Sequence, residues 1–172
     1  LLFCGLVLFE FWNYPPFKII GFKAPQVYYW LKVQEGDFAV AEYPLDVNGP
    51  NEMYKFYQTK HEKKIINGTT PGTYPNEVSR SILRLSSEKS AAVLRHLGAR
   101  YALVHRDEYL RTGLAEDNED LLAIAQNKGL KLVKSFPAEA CPADDIRCAD
   151  SISAVDVYEI VAQPLEPEVR KR

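Results

Sequence analysis

Polar residues with chemical potential stand at the ends of three apolar runs that are typical of strands. Glu42 ends the first run, Asn67 follows the second, and His105 ends the third. Ligands of open parallel sheets bind outside the carboxyl ends of the strands, so we expect these side chains to converge. A carboxylate beside an imidazole forms an acid–base pair. The three residues are therefore candidates for binding a ligand, although polar residues also resume after buried strands for purely structural reasons.

A helix predicted over residues 51–60 contributes three further candidates near its C-terminal end, namely Tyr57, Gln58 and His61. A helix that connects parallel strands runs antiparallel to them. Its C-terminal end is then directed away from the edge at which the strands end, which argues against a shared site. We include the three residues as candidate ligand contacts and assign no catalytic residue.

Motifs for metal ions, nucleophiles and phosphate groups are missing from the sequence. The three histidines show no His-x-x-x-His spacing, and the three cysteines no Cys-x-x-Cys spacing. There is no Gly-x-Ser-x-Gly elbow, and the glycine-containing loop over residues 68–72 lacks the lysine of a phosphate-binding loop. We therefore predict neither a metal ion nor a cofactor.

Two cysteines, Cys141 and Cys148, lie in the polar loop that precedes the last predicted strand. Their spacing does not suit zinc but allows a small disulfide ring, which would persist only in an oxidising compartment. Two free surface thiols are the alternative, and the sequence leaves both open. Cys4 lies in an apolar run and is expected to behave as a small buried hydrophobic residue.

The apolar patterns alternate between helical and strand spacing along most of the chain. This order predicts an α/β fold, with a mostly parallel sheet flanked by helices and a C-terminal antiparallel hairpin. Strands are predicted over residues 38–43, 64–66, 100–105, 130–136 and 154–161. Helices are predicted over residues 27–34, 51–60, 76–97 (broken at 86–87) and 117–128, the last burying Leu121, Leu122, Ile124 and Ala125.

The first nine residues form an apolar run that is too short to cross a membrane by itself. Phe11, Trp12 and Tyr14 follow it, and then Pro15 and Pro16, as where a spanning helix leaves the bilayer. We expect residues 1–12 to be the end of a transmembrane helix, 13–25 a connector, 26–163 a soluble α/β domain and 164–172 a polar tail. A buried segment of the fold and an interfacial segment remain alternatives for the start.

The overall charge argues against nucleic acid as a partner. The 172 residues include 21 basic and 23 acidic ones, which gives a formal net charge of −2. Affinity for nucleic acid that is independent of base sequence comes from lysines and arginines clustered on one surface. The sequence has no such basic cluster.

Three stretches in order carry a family resemblance: Pro25-Gln-Val-Tyr-Tyr-Trp-Leu31, Gly36-Asp-Phe-Ala-Val-Ala-Glu-Tyr-Pro-Leu45, and Leu94-Arg-His-Leu-Gly-Ala-Arg-Tyr-Ala-Leu-Val-His105. They resemble the C-terminal soluble region of polytopic GT-C-type glycosyltransferase-like membrane proteins, together with Glu10, Pro15, Met53-Tyr54, Tyr57-Gln58, His61 and Lys64 to Gly68. These proteins use sugars linked to dolichyl or polyprenyl phosphate. The resemblance covers residues 1–110 and includes no diagnostic catalytic motif.

The resemblance implies a membrane protein whose soluble domain lies on the extracytoplasmic side, a location that fits a Cys141–Cys148 disulfide. Acidic loops near the first membrane helices, which are not in this chain, would handle the lipid-linked donor. The implied partners are the membrane portion of the same protein and a glycan or lipid-linked sugar. Four aromatic side chains would offer stacking faces for sugars or simply belong to the core: Tyr28, Trp30, Tyr54 and Tyr57.

Three functional hypotheses follow. The chain is an accessory, non-catalytic domain that contacts a glycan acceptor or covers the membrane active site. Alternatively, it is a free-standing soluble α/β enzyme whose site uses Glu42 and His105. The third hypothesis is a membrane-tethered module for protein interaction.

Overall fold

The computed structural model describes residues 24–45, 51–68, 72–138 and 153–161, together with Phe9. The predicted membrane exit and polar tail, most of the connector, and all three cysteines lie outside these residues. No helix in the described ranges is long and apolar enough to span a membrane.

The elements in chain order are α1 Gln26–Lys32, β1 Ala39–Tyr43, α2 Asn51–His61, β2 Lys64–Ile65, α3 Tyr74–Ser81, α4 Glu88–His96, β3 Ala99–His105, α5 Arg106–Arg111, α6 Ala115–Ala123, a 3-10 turn Ile124–Gln126, β4 Leu130–Phe136 and β5 Val155–Ile160.

The five strands form one sheet in the order β2-β1-β3-β5-β4. β1 pairs in parallel with both β2 and β3, whereas β5 is antiparallel to β3 and to β4. Four strands therefore run in one direction, and β5 inserts between β3 and β4 in the opposite one. This topology confirms the predicted α/β fold with a mostly parallel sheet and a C-terminal antiparallel hairpin.

Helices cover the centre of the sheet on both faces, and this explains why all five residues of β1 are buried. Successive side chains of a strand point to opposite faces. Val40 and Leu103 therefore pack against α1, on what we call the α1 face, while Ala41 and Val104 face the opposite core with Leu94. By the same alternation, Glu42 and His105 belong to the α1 face.

The prediction for residues 106–128 is wrong in two respects. Residues Arg106–Arg111 form a short helix, α5, that the apolar pattern did not indicate, and α6 ends at Ala123 rather than Lys128. Within α6, Leu122 is 79% exposed, whereas the charged Asp120 is only 4% exposed. The physical reason is tertiary: α5 inserts Tyr109 into the core, and the Tyr109 hydroxyl donates to the Asp120 carboxylate.

Candidate functional site

Glu42 lies at the centre of a buried polar cluster at the carboxyl end of β1. Its side chain is 0% exposed. One carboxylate oxygen, Oε2, has two hydrogen-bond partners. The Tyr28 hydroxyl donates to Oε2 at 2.7 Å, and His105 Nε2 lies 2.9 Å from the same oxygen. Because an ionised carboxylate only accepts hydrogen bonds, both groups can act as donors to it. The arrangement joins α1, β1 and β3 through a single oxygen.

Asn67 continues the pairing of β1 after strand β2 has ended at Ile65. The Asn67 Oδ1 atom accepts from the Glu42 backbone N–H at 2.9 Å, and Nδ2 donates to the Glu42 carbonyl at 2.7 Å. The amide thus replaces the backbone groups of a neighbouring strand, which satisfies buried groups that would otherwise be costly. Nδ2 also donates to Asn51 Oδ1 at 2.9 Å, so the start of α2 is fixed to the same place.

Aromatic rings enclose the carboxylate on the α1 face. The Tyr54 ring stacks on His105 with 4.6 Å between centroids, and Tyr28 stacks on Tyr57 at 4.2 Å. His61 lies on Tyr28 at 5.7 Å. We use the name Glu42 cluster for Tyr28, Glu42, Tyr54, His61, Asn67 and His105.

Burial sets the protonation of two of these side chains. Desolvation, followed by the charge of Glu42, holds the pKa of Tyr28 well above its ordinary value, so the phenol keeps the proton it donates. Desolvation lowers the pKa of His61 below 6.5, against the opposing effect of Glu42. His61 Nδ1 accepts from the Lys63 backbone N–H at 3.0 Å. The neutral ring must therefore carry its proton on Nε2.

We expect His61 to destabilise the fold as the pH falls below 6.5. The pKa of His61 in the folded state lies below the ordinary value of 6.5, so between those two values the unfolded chain binds more protons. His61 makes its full contribution to the free energy of unfolding above pH 6.5, and this contribution is lost as the pH falls through the folded-state pKa. The free energy of unfolding then changes by at most about 1.4 kcal/mol per pH unit. Urea unfolding from about pH 7 to about pH 5 measures this slope. His61→Gln should flatten it, and substitution of the exposed His96 by Gln should not.

The structure brings together Glu42, Asn67 and His105, the three residues found at strand ends. It also places Tyr57 and His61 beside Tyr28, contrary to the expectation that the end of α2 points away from them. Gln58 has a different partner, because its Nε2 donates to the Lys63 carbonyl before β2. Cys141 and Cys148 lie outside the described residues.

Sequence reasoning did not assign Tyr28 and Tyr54 to this polar cluster. The sequence indicates both tyrosines only as stacking faces for sugars or as core residues. The sequence pattern offers little to identify them, because an aromatic residue at helical spacing is typical of a core. No neighbouring residue indicates that its hydroxyl reaches the end of a strand. The Tyr28–Glu42 contact spans 14 residues and the His105–Glu42 contact 63, so both depend on the assembled fold.

A second buried carboxylate, Asp120, lies on the opposite side of the sheet. It accepts from the backbone N–H groups of Leu85 and Ser86 at 3.1 and 2.9 Å, and from the Tyr109 hydroxyl at 3.0 Å. These bonds fix the turn between α3 and α4. Protein donors occupy the Asp120 carboxylate, so it is a structural feature rather than a candidate site. Within the described ranges, no group of three or more His, Cys, Asp or Glu side chains could hold a metal ion.

Comparison with known proteins gives a likeness to solved structures. No family model matches the chain. No curated protein sequence matches it either. Among solved structures, the chain is similar to the C-terminal globular domain of an oligosaccharyltransferase from Archaeoglobus fulgidus. The TM-score is 0.42 at 10% sequence identity, and the match covers 78% of this chain and 94% of that one.

Proposed function

We propose that this chain is a non-catalytic, extracytoplasmic accessory domain of a larger GT-C-type membrane protein. The observation that carries the non-catalytic part is the burial of the acid–base pair, with Glu42 0% and His105 3% exposed. A general acid or base must come within hydrogen-bonding reach of the proton it transfers. This pair is enclosed by Tyr28 and Tyr54 and already bonded within the fold, which suits a structural role.

The membrane part of the proposal rests on the family resemblance over residues 1–110 and on the outer surface of α1 and α2. These helices pack against each other and expose large apolar side chains, namely Tyr29, Val33, Met53 and Phe56. Within each pair, Tyr29–Val33 and Met53–Phe56, the residues are one helical turn apart, and neighbouring exposed apolar groups commonly mark interaction surfaces. Because α1 follows directly on the predicted connector, its surface would lie near the end of a preceding membrane helix.

The partner we propose for this surface is the membrane portion of the same protein. Docked there, the domain would cover the membrane active site or contact a glycan acceptor or lipid-linked sugar. Donor chemistry would remain with acidic loops of the membrane portion. This division fits a soluble domain in which the paired carboxylate and imidazole are turned inward.

Fractionation of cells that make the intact protein tests the proposal. We expect an antibody against this chain to find it in the membrane pellet after an alkaline carbonate wash. Protease added outside intact cells should digest the domain. Release into the soluble fraction, together with a start codon shortly upstream of Leu1, would contradict membrane attachment. Protection from external protease would contradict the extracytoplasmic location.

A second candidate, the tethered interaction module, is favoured by the same exposed side chains of α1 and α2. The two proposals differ in what the surface contacts. Cross-linking in intact membranes should capture the membrane portion of the same protein if the domain is accessory. Capture of a separate protein, without saccharide binding, would instead support the interaction module.

A further inference from the structure

Three polar atoms of the Glu42 cluster are buried without a hydrogen-bond partner in the protein. They are Glu42 Oε1, His61 Nε2 and the Tyr54 hydroxyl. The side chains that carry them are at most 2% exposed. A buried polar group left unpaired is expensive, and native proteins satisfy the great majority of such groups with protein or bound water. Three in one cluster therefore indicate a common binding partner.

The hydrogen-bonding roles of the three atoms are complementary. Glu42 Oε1 is an acceptor, because Tyr28 and His105 both occupy Oε2. His61 Nε2 is a donor, because Nδ1 of the same ring already accepts from the Lys63 N–H. The Tyr54 hydroxyl can donate and accept. An oxygen that carries a hydrogen could donate to Glu42 and accept from His61 and Tyr54 at once.

The contacts of the cluster place the side chains that carry these atoms in the same neighbourhood. His61 stacks on Tyr28 and Tyr54 stacks on His105, and both Tyr28 and His105 bond to the Glu42 carboxylate. The charge of Glu42 also acts on the pKa values of both Tyr54 and His61. All three unpartnered atoms thus belong to groups arranged around one carboxylate.

We propose that the Glu42 cluster is an internal binding site for a single hydroxyl group. The bound hydroxyl donates a hydrogen bond to Glu42 Oε1, and its oxygen accepts hydrogen bonds from His61 Nε2 and the Tyr54 hydroxyl. Because the three side chains are at most 2% exposed, the group that we propose for this site is a bound water molecule. The site is independent of membrane attachment, so its failure would leave the proposed function untouched.

Two matched substitutions in the full chain test the proposal. Tyr54→Phe removes the hydroxyl that lacks a protein partner, and Tyr43→Phe removes an equally buried hydroxyl that donates to the Ile82 carbonyl at 2.7 Å. If a bound hydroxyl occupies the site, both variants should lower the folded-to-unfolded ratio by roughly five- to ten-fold in urea unfolding. A Tyr54→Phe variant at least as stable as the wild-type chain would overturn the proposal.

A crystal structure at a resolution that defines water gives the second measurement. We expect density for one oxygen within hydrogen-bonding distance of Glu42 Oε1 and His61 Nε2. An empty site would overturn the proposal even if Tyr54→Phe is destabilising.

Discussion

Replacement of Glu42 by Ala is expected to lower the free energy of unfolding by about 3–5 kcal/mol, because it leaves buried donors without their acceptor. The Tyr28 hydroxyl and His105 Nε2 both lose Oε2, at 2.7 and 2.9 Å respectively. The truncated side chain also leaves a cavity under α1, which adds to the loss. Urea unfolding of the purified chain measures the change.

The matched control for this prediction is Glu116→Ala. Glu116 also forms a short ion pair, with Arg84 at 2.7 Å, but its side chain is 77% exposed. Exposed ion pairs contribute about 0–1 kcal/mol, so the control should change stability little. Equal losses in the two variants would mean that Glu42 does not hold α1, β1 and β3 together.

The second large effect is expected from Asp120→Ala, which should lower the free energy of unfolding by about 3–4 kcal/mol. The substitution leaves three donors unpaired, of which two are buried, the Leu85 N–H and the Tyr109 hydroxyl, and one is partly buried, the Ser86 N–H. Burial and the Asp120 charge raise the pKa of Tyr109, so its hydroxyl stays a donor. Tyr109→Phe removes one of the three bonds and should cost about 1–2 kcal/mol.

The neighbouring Glu119 provides the control for Asp120. It lies in the same helix but is exposed, so Glu119→Ala should change the free energy of unfolding by less than about 0.5 kcal/mol. Hydrogen exchange of the Leu85 and Ser86 amides gives a local measurement, since both should exchange faster in Asp120→Ala. Unchanged exchange at these amides would contradict the assigned role of the carboxylate.

The element order was predictable because it depends on local patterns. Apolar runs over residues 38–43 and 100–105 mark β1 and β3, and a glycine ends the helix before β3, where Gly98 adopts a φ of +77°. The convergence of Glu42 with His105 followed from a topological rule about strand ends rather than from a motif.

Other features could not be read locally because tertiary packing overrides the pattern. Helix α5 has only six residues, of which Tyr109 alone is buried, so it offers too little periodicity to detect. A charged residue in an amphipathic helix is expected on the outside, yet Asp120 is inside because its partners come from the turn between α3 and α4. The Tyr28 and Tyr54 contacts likewise arise only after α1 and α2 pack on the sheet.

The most direct test is the activity of His105→Gln in the larger membrane glycosyltransferase to which we propose that this chain belongs. Glutamine can still donate a hydrogen bond to Glu42, so the variant should fold, but it cannot exchange protons as an imidazole does. We predict a glycosyl-transfer rate per folded molecule within about three-fold of the wild-type protein, as for the exposed-site control His96→Gln. Loss of general acid–base catalysis would instead lower the rate by about 10²-fold or more at equal folded amounts. That result would contradict the assignment of the Glu42–His105 pair to structure rather than catalysis.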